Sequence, residues 1–177
     1  MEAKKGRRKM KKFELTTEPI TNEAGKKLFR IKALIDFGDV KAGELGGYVE
    51  KEGNVSQDGN AWVYGNAWVF GNAQVCSNAR VYGNAEVTGN AKVSGNAQVS
   101  GNTDYALAQG FGTKFRCTTF YRGKNKKIMV NCGCFHGNLE KFRKQVKETR
   151  SGKIAKEYLM IADLMEYHFA SEDSRNE

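Results

Sequence analysis

The chain has 177 residues, and its 29 Lys and Arg residues outnumber its 20 Asp and Glu residues, which gives a formal net charge of +9. No apolar run approaches the roughly 18 residues of a membrane-spanning helix, and the N-terminus lacks a signal-peptide core. The 4 cysteines form no even, spaced framework, which favours a reducing compartment over a disulfide scaffold. We therefore expect a soluble cytoplasmic protein with no membrane contact and no cofactor.

Two segments precede a central repeat. Residues 1–12 carry a net charge of +6 without any hydrophobic pattern, so we predict a flexible basic arm. Residues 13–52 contain FELTT, KLFRIKALIDF and GELGGYVEK, which are typical of strands and are separated by Gly-, Asn- and Asp-containing turns. We predict that residues 13–52 form an N-terminal β cap.

The central feature is a six-residue repeat, of which seven consecutive copies run from Gly59 to Ser100: GNAWVY, GNAWVF, GNAQVC, SNARVY, GNAEVT, GNAKVS and GNAQVS. Looser copies on both sides extend the register over residues 53–106. In each unit Ala and Val are two positions apart and point to the same face of a short strand, while Gly-Asn tolerates the positive φ of a corner. This pattern predicts a parallel β-helix of about three coils.

The repeat resembles the hexapeptide-repeat left-handed β-helix family, in the Val of each unit and in the small Ala two residues before it. The resemblance implies a left-handed hand, which the general crossover rule would not favour, and a homotrimer packed along the helix flanks. The phrase GDVKAGELGGYVEKEGNVSQDGNAWVYGNA is similar to the GNAxV-repeat proteins of phage and prophage genomes. This similarity implies a phage-type protein but little about its activity.

Outward positions of the repeat predict an aromatic patch. Residues eighteen apart should be neighbours on adjacent coils, which sets Arg80 beside Trp62 and Tyr82 beside Tyr64. The patch is either covered by the N-terminal cap or a subunit contact, the commoner fate of a large apolar patch, or it anchors a ligand or partner. Its residues are Trp62, Tyr64, Trp68, Phe70 and Arg80, with a cation-π contact between Trp62 and Arg80.

The repeat stops after Asp104, and an α+β module is predicted over residues 107–170, followed by a tail over residues 171–177. TKFRCTTFYR and KKIMVNCGCF alternate as the two strands of a β-hairpin should. Asn138 is a suitable N-cap for one helix over residues 139–150, and a second helix is expected over residues 153–169. The predicted fold class is mainly β: a short left-handed parallel β-helix with an N-terminal β cap and this C-terminal module.

The C-terminal module is strongly basic. Residues 107–152 hold eleven Lys and Arg residues but only two acidic residues, a bias that solubility alone does not require. The cations either form an ordinary solvated surface or bind an anionic partner, and we favour the second reading. The predicted binding residues are Lys114, Arg116, Phe120, Arg122, Lys124, Lys126, Lys127, Arg143, Lys147 and Arg150, forming one continuous cationic surface.

Cysteines and a histidine near the hairpin raise two further readings. Cys132, Cys134 and His136 should share one strand face, and Cys117 on the paired strand adds a fourth N or S ligand for zinc. The spacing lacks the usual two-residue knuckle, so we favour buried thiols. Neither His136 nor the other histidine lies in the repeat, which argues against the histidine base that the resemblance implies for hexapeptide-repeat acyltransferases.

These patterns favour a non-enzymatic binding protein. The phage-type resemblance and the distribution of charge together predict an inhibitor of a host defence nucleoprotein complex, acting through the basic C-terminal surface in the host cytoplasm. Two alternatives stay open at this stage. One is an oligomeric sponge that sequesters a nucleotide messenger, and the other is a hexapeptide-type acyltransferase with His136 as general base.

Overall fold

Three antiparallel strands begin the fold. The computed structural model of the protein describes residues 10–170, and the first strands are β1 (Phe13–Thr21), β2 (Lys27–Ala33) and β3 (Leu45–Val49). β2 pairs with β1 on one side and with β3 on the other, antiparallel in both cases. The three segments that the sequence marks as strands therefore each contain one.

The repeat forms strands of two residues, each holding the Val of one unit and the residue before it. They are β4 (Trp62–Val63), β5 (Trp68–Val69), β6 (Gln74–Val75), β7 (Arg80–Val81), β8 (Glu86–Val87), β9 (Lys92–Val93) and β10 (Gln98–Val99). Their pairing is parallel and joins β4 to β7 to β10, β5 to β8, and β6 to β9. The strands are short because Gly-Asn turns occupy the remaining positions of each unit.

The predicted fold class is wrong. The sheets are small, and parallel pairing is divided among them, so the structure contains no single parallel β-helix within residues 10–170. The largest sheet, ordered β1-β2-β3-β5-β8, mixes antiparallel and parallel pairs because the longer flanking strands extend the ladder of the repeat. The protein is mainly β, with small mixed and antiparallel sheets and two C-terminal helices.

The predicted eighteen-residue register is nevertheless confirmed for the paired strands. Trp62 is paired with Arg80, and Arg80 with Gln98. Tyr64 stacks on Tyr82 with ring centroids 5.1 Å apart and planes 9° from parallel. Side chains at equivalent positions of every third unit are therefore neighbours.

Ala and Val side chains of the repeat fill one core. Every Ala and every Val of the seven consecutive units is at most 1% exposed. The small Ala side chain leaves room for the neighbouring strands, while each buried Val contributes about 1.5–3 kcal/mol relative to an exposed position. Phe13, Ile31 and Tyr121 from the flanking segments join the same cluster.

Flanking residues bond the N-terminal edge of the repeat. We define this edge as the side of β4, β5 and β6 that does not pair with β7, β8 and β9. The β3 backbone pairs with β5, with the Tyr48 N–H donating to the Ala67 carbonyl at 2.9 Å. The Asn54 side chain donates to the carbonyls of Ala73 at 2.9 Å and Gly71 at 3.2 Å. These bonds satisfy groups that an open edge would leave unpaired.

Lys12 also bonds the N-terminal edge of the repeat. We predicted a flexible arm over residues 1–12, and for Lys12 this prediction is wrong. Its side chain is buried, and its ammonium donates to the carbonyls of Ala61 at 2.8 Å and Gly59 at 3.3 Å. The ammonium also lies 4.8 Å from the Phe37 ring centroid. The remaining arm prediction, for residues 1–9, and the predicted tail lie outside the described residues.

A four-stranded antiparallel sheet follows the repeat, and its two central strands form the predicted hairpin. Its strands are β11 (Tyr105–Phe111), β12 (Arg116–Arg122), β13 (Ile128–Cys132) and β14 (Phe135–Asn138), in that order across the sheet. The chain turns back at Gly133, which has a φ of 62°, so the segment predicted as one long strand becomes β13 and β14. β11 begins with the last two residues assigned to the repeat, Tyr105 and Ala106, and continues into a stretch for which the sequence analysis predicted no strand. Its pairing with β12 was not predicted.

Two helices follow, as the sequence predicts. α1 (Leu139–Thr149) begins at Asn138, whose side chain accepts from the Lys141 backbone N–H, and α2 is Gly152–His168. Phe142, Val146 and Met165 pack with Phe120 and Val130 on one face of the sheet. Within residues 10–170, no helix combines the length and apolar character needed to cross a bilayer.

The opposite face of the sheet covers the C-terminal edge of the repeat. We define this edge as the side of β8, β9 and β10 that does not pair with β5, β6 and β7. The Lys92 backbone N–H donates to the Thr119 hydroxyl at 2.9 Å, and the Asn131 side chain donates to the Lys92 carbonyl at 2.6 Å. Tyr121 is fully buried beside them. The sheet is thus held between the repeat and the helices.

Ser77 provides a test of the corner geometry, because it occupies a position that Gly fills in the other consecutive units. Its φ is 62°, a left-handed conformation that costs an L-residue roughly 1–2 kcal/mol. We expect Ser77→Gly to raise the free energy of unfolding by about 1 kcal/mol in urea denaturation. In the converse variant, Gly59→Ala, a Cβ would lie 2.7 Å from the Ser77 carbonyl oxygen, so stability should fall. A neutral Ser77→Gly would contradict the assigned strain.

Lys12 predicts an unusual pH dependence of stability. Burial, with help from the Arg80 charge, lowers the pKa of its ammonium to about 8 from 10.5, while Asp58 opposes the shift. Between those two pH values the unfolded state binds more protons than the folded state, so the contribution of Lys12 to stability rises with pH. The free energy of unfolding of the wild type minus that of Lys12→Met should increase by about 1 kcal/mol from pH 8 to pH 9.

Lys11→Met is the matched control for this experiment, because Lys11 is exposed and ion-paired with Glu52 at 2.7 Å. Its difference from the wild type should stay constant over the same pH range. Parallel curves for the wild type and Lys12→Met would show that Lys12 titrates normally.

Candidate functional site: a basic pocket in the C-terminal module

The predicted cationic residues lie in separate places rather than on one continuous surface. Lys114 and Arg116 lie at the start of β12, whereas Lys124, Lys126 and Lys127 lie in the loop that follows its other end. Seven residues of extended strand separate the two groups by roughly 20 Å. Arg143, Lys147 and Arg150 lie along and just after α1, and Arg150 is at the end nearer Lys114 and Arg116.

Two of the predicted binding residues are engaged by contacts within the fold. Phe120 is fully buried and meets the Phe142 ring edge-on at a centroid distance of 6.0 Å, because even-numbered β12 residues face the helices. Arg122 is ion-paired with Asp104 at 3.1 Å and donates to the Phe169 carbonyl at 2.9 Å. Phe120 is therefore a core residue, and Arg122 joins the sheet to the end of α2.

Arg143 also has acidic partners. Its guanidinium bonds Asp163 at 2.7 Å and Glu166 at 2.8 Å, and these bonds raise its pKa. Both carboxylates are on α2, so Arg143 fastens α1 to α2. Since the two carboxylates neutralise its charge, Arg143 contributes little to the attraction of an anion.

Lys114, Arg116 and Arg150 instead converge on a pocket between the sheet and the helices. The pocket has a volume of about 130 Å³, and the apolar side chains of Phe135, Phe142 and Val146 contribute to its lining. Among the residues that the structure describes, no Asp or Glu lines the pocket, and none is ion-paired with the three cations. Three unneutralised positive charges at one concavity attract anions.

Two glycines allow the pocket walls to approach. Gly133 lies against the Arg116 guanidinium, and a Cβ at that position would be 2.6 Å from Nη1. Gly112, with a φ of 72°, lies against the Tyr158 hydroxyl, and a Cβ there would overlap the ring. These contacts set Arg116 and Tyr158 at the pocket.

Tyr158 forms part of the pocket lining. Its hydroxyl donates to the Phe111 carbonyl at 3.4 Å, and its ring meets Phe142 edge-on at 5.9 Å. Burial raises the pKa of its hydroxyl, and the charges of Arg150 and Arg116 act in the opposite direction. Tyr158 is therefore a neutral hydrogen-bonding group at neutral pH, next to the two guanidiniums.

Phe115 was missed by the sequence analysis, which selected Phe120 as the aromatic residue of this surface. Phe115 follows Lys114 in the tight loop between β11 and β12, and its side chain is 68% exposed. Its φ of 48° is rare for a bulky residue and indicates local strain. Its position between two cations in TKFR is the sequence signal that could have identified it.

In the predicted aromatic patch, Trp62 is covered and the remaining residues are partly buried. Trp62 is 1% exposed, with Phe13 and Phe37 of the N-terminal segment packed edge-on against it, which agrees with cover by the cap. Arg80 is ion-paired with Asp39, and the structure records no cation-π contact between it and Trp62 within residues 10–170. Tyr64, Trp68 and Phe70 are half-buried.

The zinc ligands suggested by sequence do not come together. Cys132 pairs with Thr118 and faces the helices, with Sγ 3.1 Å from the Thr118 hydroxyl. His136 pairs with Asn131 on the other face, because Gly133 and Cys134 turn the chain between them. Cys117 alternates with Thr118 along β12 and so also lies on the face opposite Cys132. Within the described part of the chain, no group of three metal-ligating side chains is found.

His136 contacts the C-terminal edge of the repeat. Its Nε2 is 3.1 Å from the Tyr121 hydroxyl, and its ring lies against Gly95. This position supports a structural role at the junction between repeat and sheet.

A scan against protein-family models and a search of curated proteins find no match to this chain.

The strain at Phe115 can be measured through stability. We expect Phe115→Gly to be about 1 kcal/mol more stable to urea than Phe115→Ala, because only Gly removes the cost of the left-handed φ. The Ala variant is the control for loss of the ring, which buries little surface. Equal stability of the two variants would mean that the loop relaxes without strain.

Proposed function

We propose that the protein is a non-enzymatic binding protein that inhibits a host defence nucleoprotein complex by holding its nucleic acid at the basic pocket. The observation that carries this proposal is the convergence of Lys114, Arg116 and Arg150 on one concavity with no carboxylate among its described lining residues. Phosphate contacts supply most of the affinity in nucleic-acid binding, and unpaired cations are their usual source.

The exposed Phe115 ring supports nucleic acid over an acidic protein as the anion. Proteins that hold single strands combine a cationic groove with aromatic side chains on which bases stack, each stack being worth about 1–3 kcal/mol. Two cations and an exposed ring occur here in three consecutive residues, Lys114, Phe115 and Arg116, at the start of β12. An acidic peptide would bind the cations but has no equivalent use for an exposed ring.

The test is the salt dependence of binding to a single-stranded RNA oligonucleotide, followed by fluorescence anisotropy. For the triple variant Lys114→Gln, Arg116→Gln and Arg150→Gln, affinity should fall at least tenfold. The slope of log K against log salt should become shallower by about 0.7 to 1.4, since the three cations converge on one pocket and together neutralise one or two phosphate charges, each worth about 0.7.

The matched control removes the same charge at the other end of β12, through Lys124→Gln, Lys126→Gln and Lys127→Gln. It should change affinity much less than the pocket variant does. Equal losses in both variants would show that only net charge matters, and no loss in either would contradict nucleic-acid binding at the pocket.

The inhibitor part of the proposal requires a second arm. Tagged wild-type protein should retain a nucleoprotein complex from host lysate, and the pocket variant should retain much less. Addition of the purified wild-type protein to that complex should reduce its nuclease or sensing activity. Retention without any loss of activity would exclude inhibition.

The sponge for a nucleotide messenger is kept as a second candidate, because the pocket is small and partly enclosed. A small molecule of a few hundred daltons released on heating the purified protein would favour it.

A further inference from the structure

The basic pocket has a shape that suits the end of a chain rather than its middle. Its lining includes Phe142 and Val146, which are buried, so a strand has no path onward through that side. Its volume of about 130 Å³ is sufficient for a phosphoryl group. A ligand that places a phosphate here must extend outwards to solvent.

The charge of the pocket exceeds what one backbone phosphate needs. A phosphodiester carries one negative charge, whereas a terminal phosphomonoester carries about 1.5 to 2 at pH 7 and three acceptor oxygens. Lys114, Arg116 and Arg150 supply three positive charges at this single pocket. Guanidiniums also match the geometry of phosphate oxygens through paired N–H donors. The balance of charge therefore favours a monoester.

The Phe115 side chain is exposed and adjacent in sequence to two of the three pocket cations, although it is not itself among the residues that line the pocket. It is therefore free to contact the part of a ligand that extends out of the pocket. A terminal base is free on one face and can stack on an aromatic side chain. Phosphate and base of one terminal nucleotide thus each have a partner.

We infer that the pocket binds the terminal phosphomonoester of a nucleic-acid strand, with the terminal base stacked on Phe115. This inference rests on the proposed function and specifies which part of the nucleic acid the protein recognises. The recognised chemistry, a nucleotide phosphomonoester, is shared by strand ends and by free mononucleotides.

The test compares RNA oligonucleotides of one sequence that differ only at their ends: 5′-phosphate, 3′-phosphate, or hydroxyl at both. We expect one of the phosphorylated strands to bind at least tenfold more tightly than the hydroxyl strand. Arg116→Gln should abolish that preference and lower the affinity for the phosphorylated strand towards that of the hydroxyl strand. Adenosine monophosphate is the competitor that tests the free-nucleotide source.

The outcomes separate this inference from the proposed function. Equal, salt-dependent binding of all three strands would overturn the terminal-phosphate inference and leave nucleic-acid binding intact. No binding of any strand would contradict both the terminal-phosphate inference and nucleic-acid binding at the pocket. Competition by the mononucleotide at concentrations equal to those of the strand would overturn the strand as ligand in favour of the free nucleotide.

Phe115→Ala separates stacking from charge. It should lower the affinity for the phosphorylated strand several-fold without altering the slope of log K against log salt, because the ring carries no charge. Unchanged affinity in this variant would overturn the stacking part of the inference. Circular dichroism and urea denaturation of each variant confirm that it is folded.

Discussion

The backbone groups at the two edges of the repeat impose the constraint on which the remaining structure depends. Two-residue strands pair only with neighbours above and below, so the outermost ones present free N–H and C=O groups. At the N-terminal edge these groups are bonded by β3, Asn54 and Lys12. At the C-terminal edge Thr119 and Asn131 bond Lys92. The flanking segments are therefore integral to the fold of the repeat.

This constraint also holds the basic pocket in place. The antiparallel sheet is fixed on one face by the repeat and on the other by α1 and α2, so the end of β12 has little freedom. Arg116 extends from that end, and the absence of a Cβ at Gly133 leaves room for its guanidinium. A fixed backbone reduces the entropy lost when the side chain binds an anion. The loop carrying Phe115 is the strained exception, as is common where a surface contacts a ligand.

The sequence predicted the local features well and the sheets poorly. The Ala-x-Val spacing predicted the buried face and the eighteen-residue neighbours, and Asn138 predicted the start of α1, because these depend on contacts within a few residues or on an exact period. The four-stranded sheet depends on pairing between β11 and β12, which no local pattern announces. Alternation alone also cannot show that Phe120 faces the helices while its neighbours face the repeat. The sequence predicted the three cations of the candidate site, but it did not predict Phe115 or Tyr158.

The pairing of every third unit restricts how the length of this protein can change in evolution. Inserting a single unit would move Lys92 and its neighbours to a different ladder, and the bonds from Thr119 and Asn131 would be lost. Only the gain or loss of three units together returns each contact to its place, because the paired strands are three units apart. Relatives with intact ends should therefore differ in steps of eighteen residues, with the distance between the two flanking segments changing by one strand spacing, about 4.8 Å, at each step.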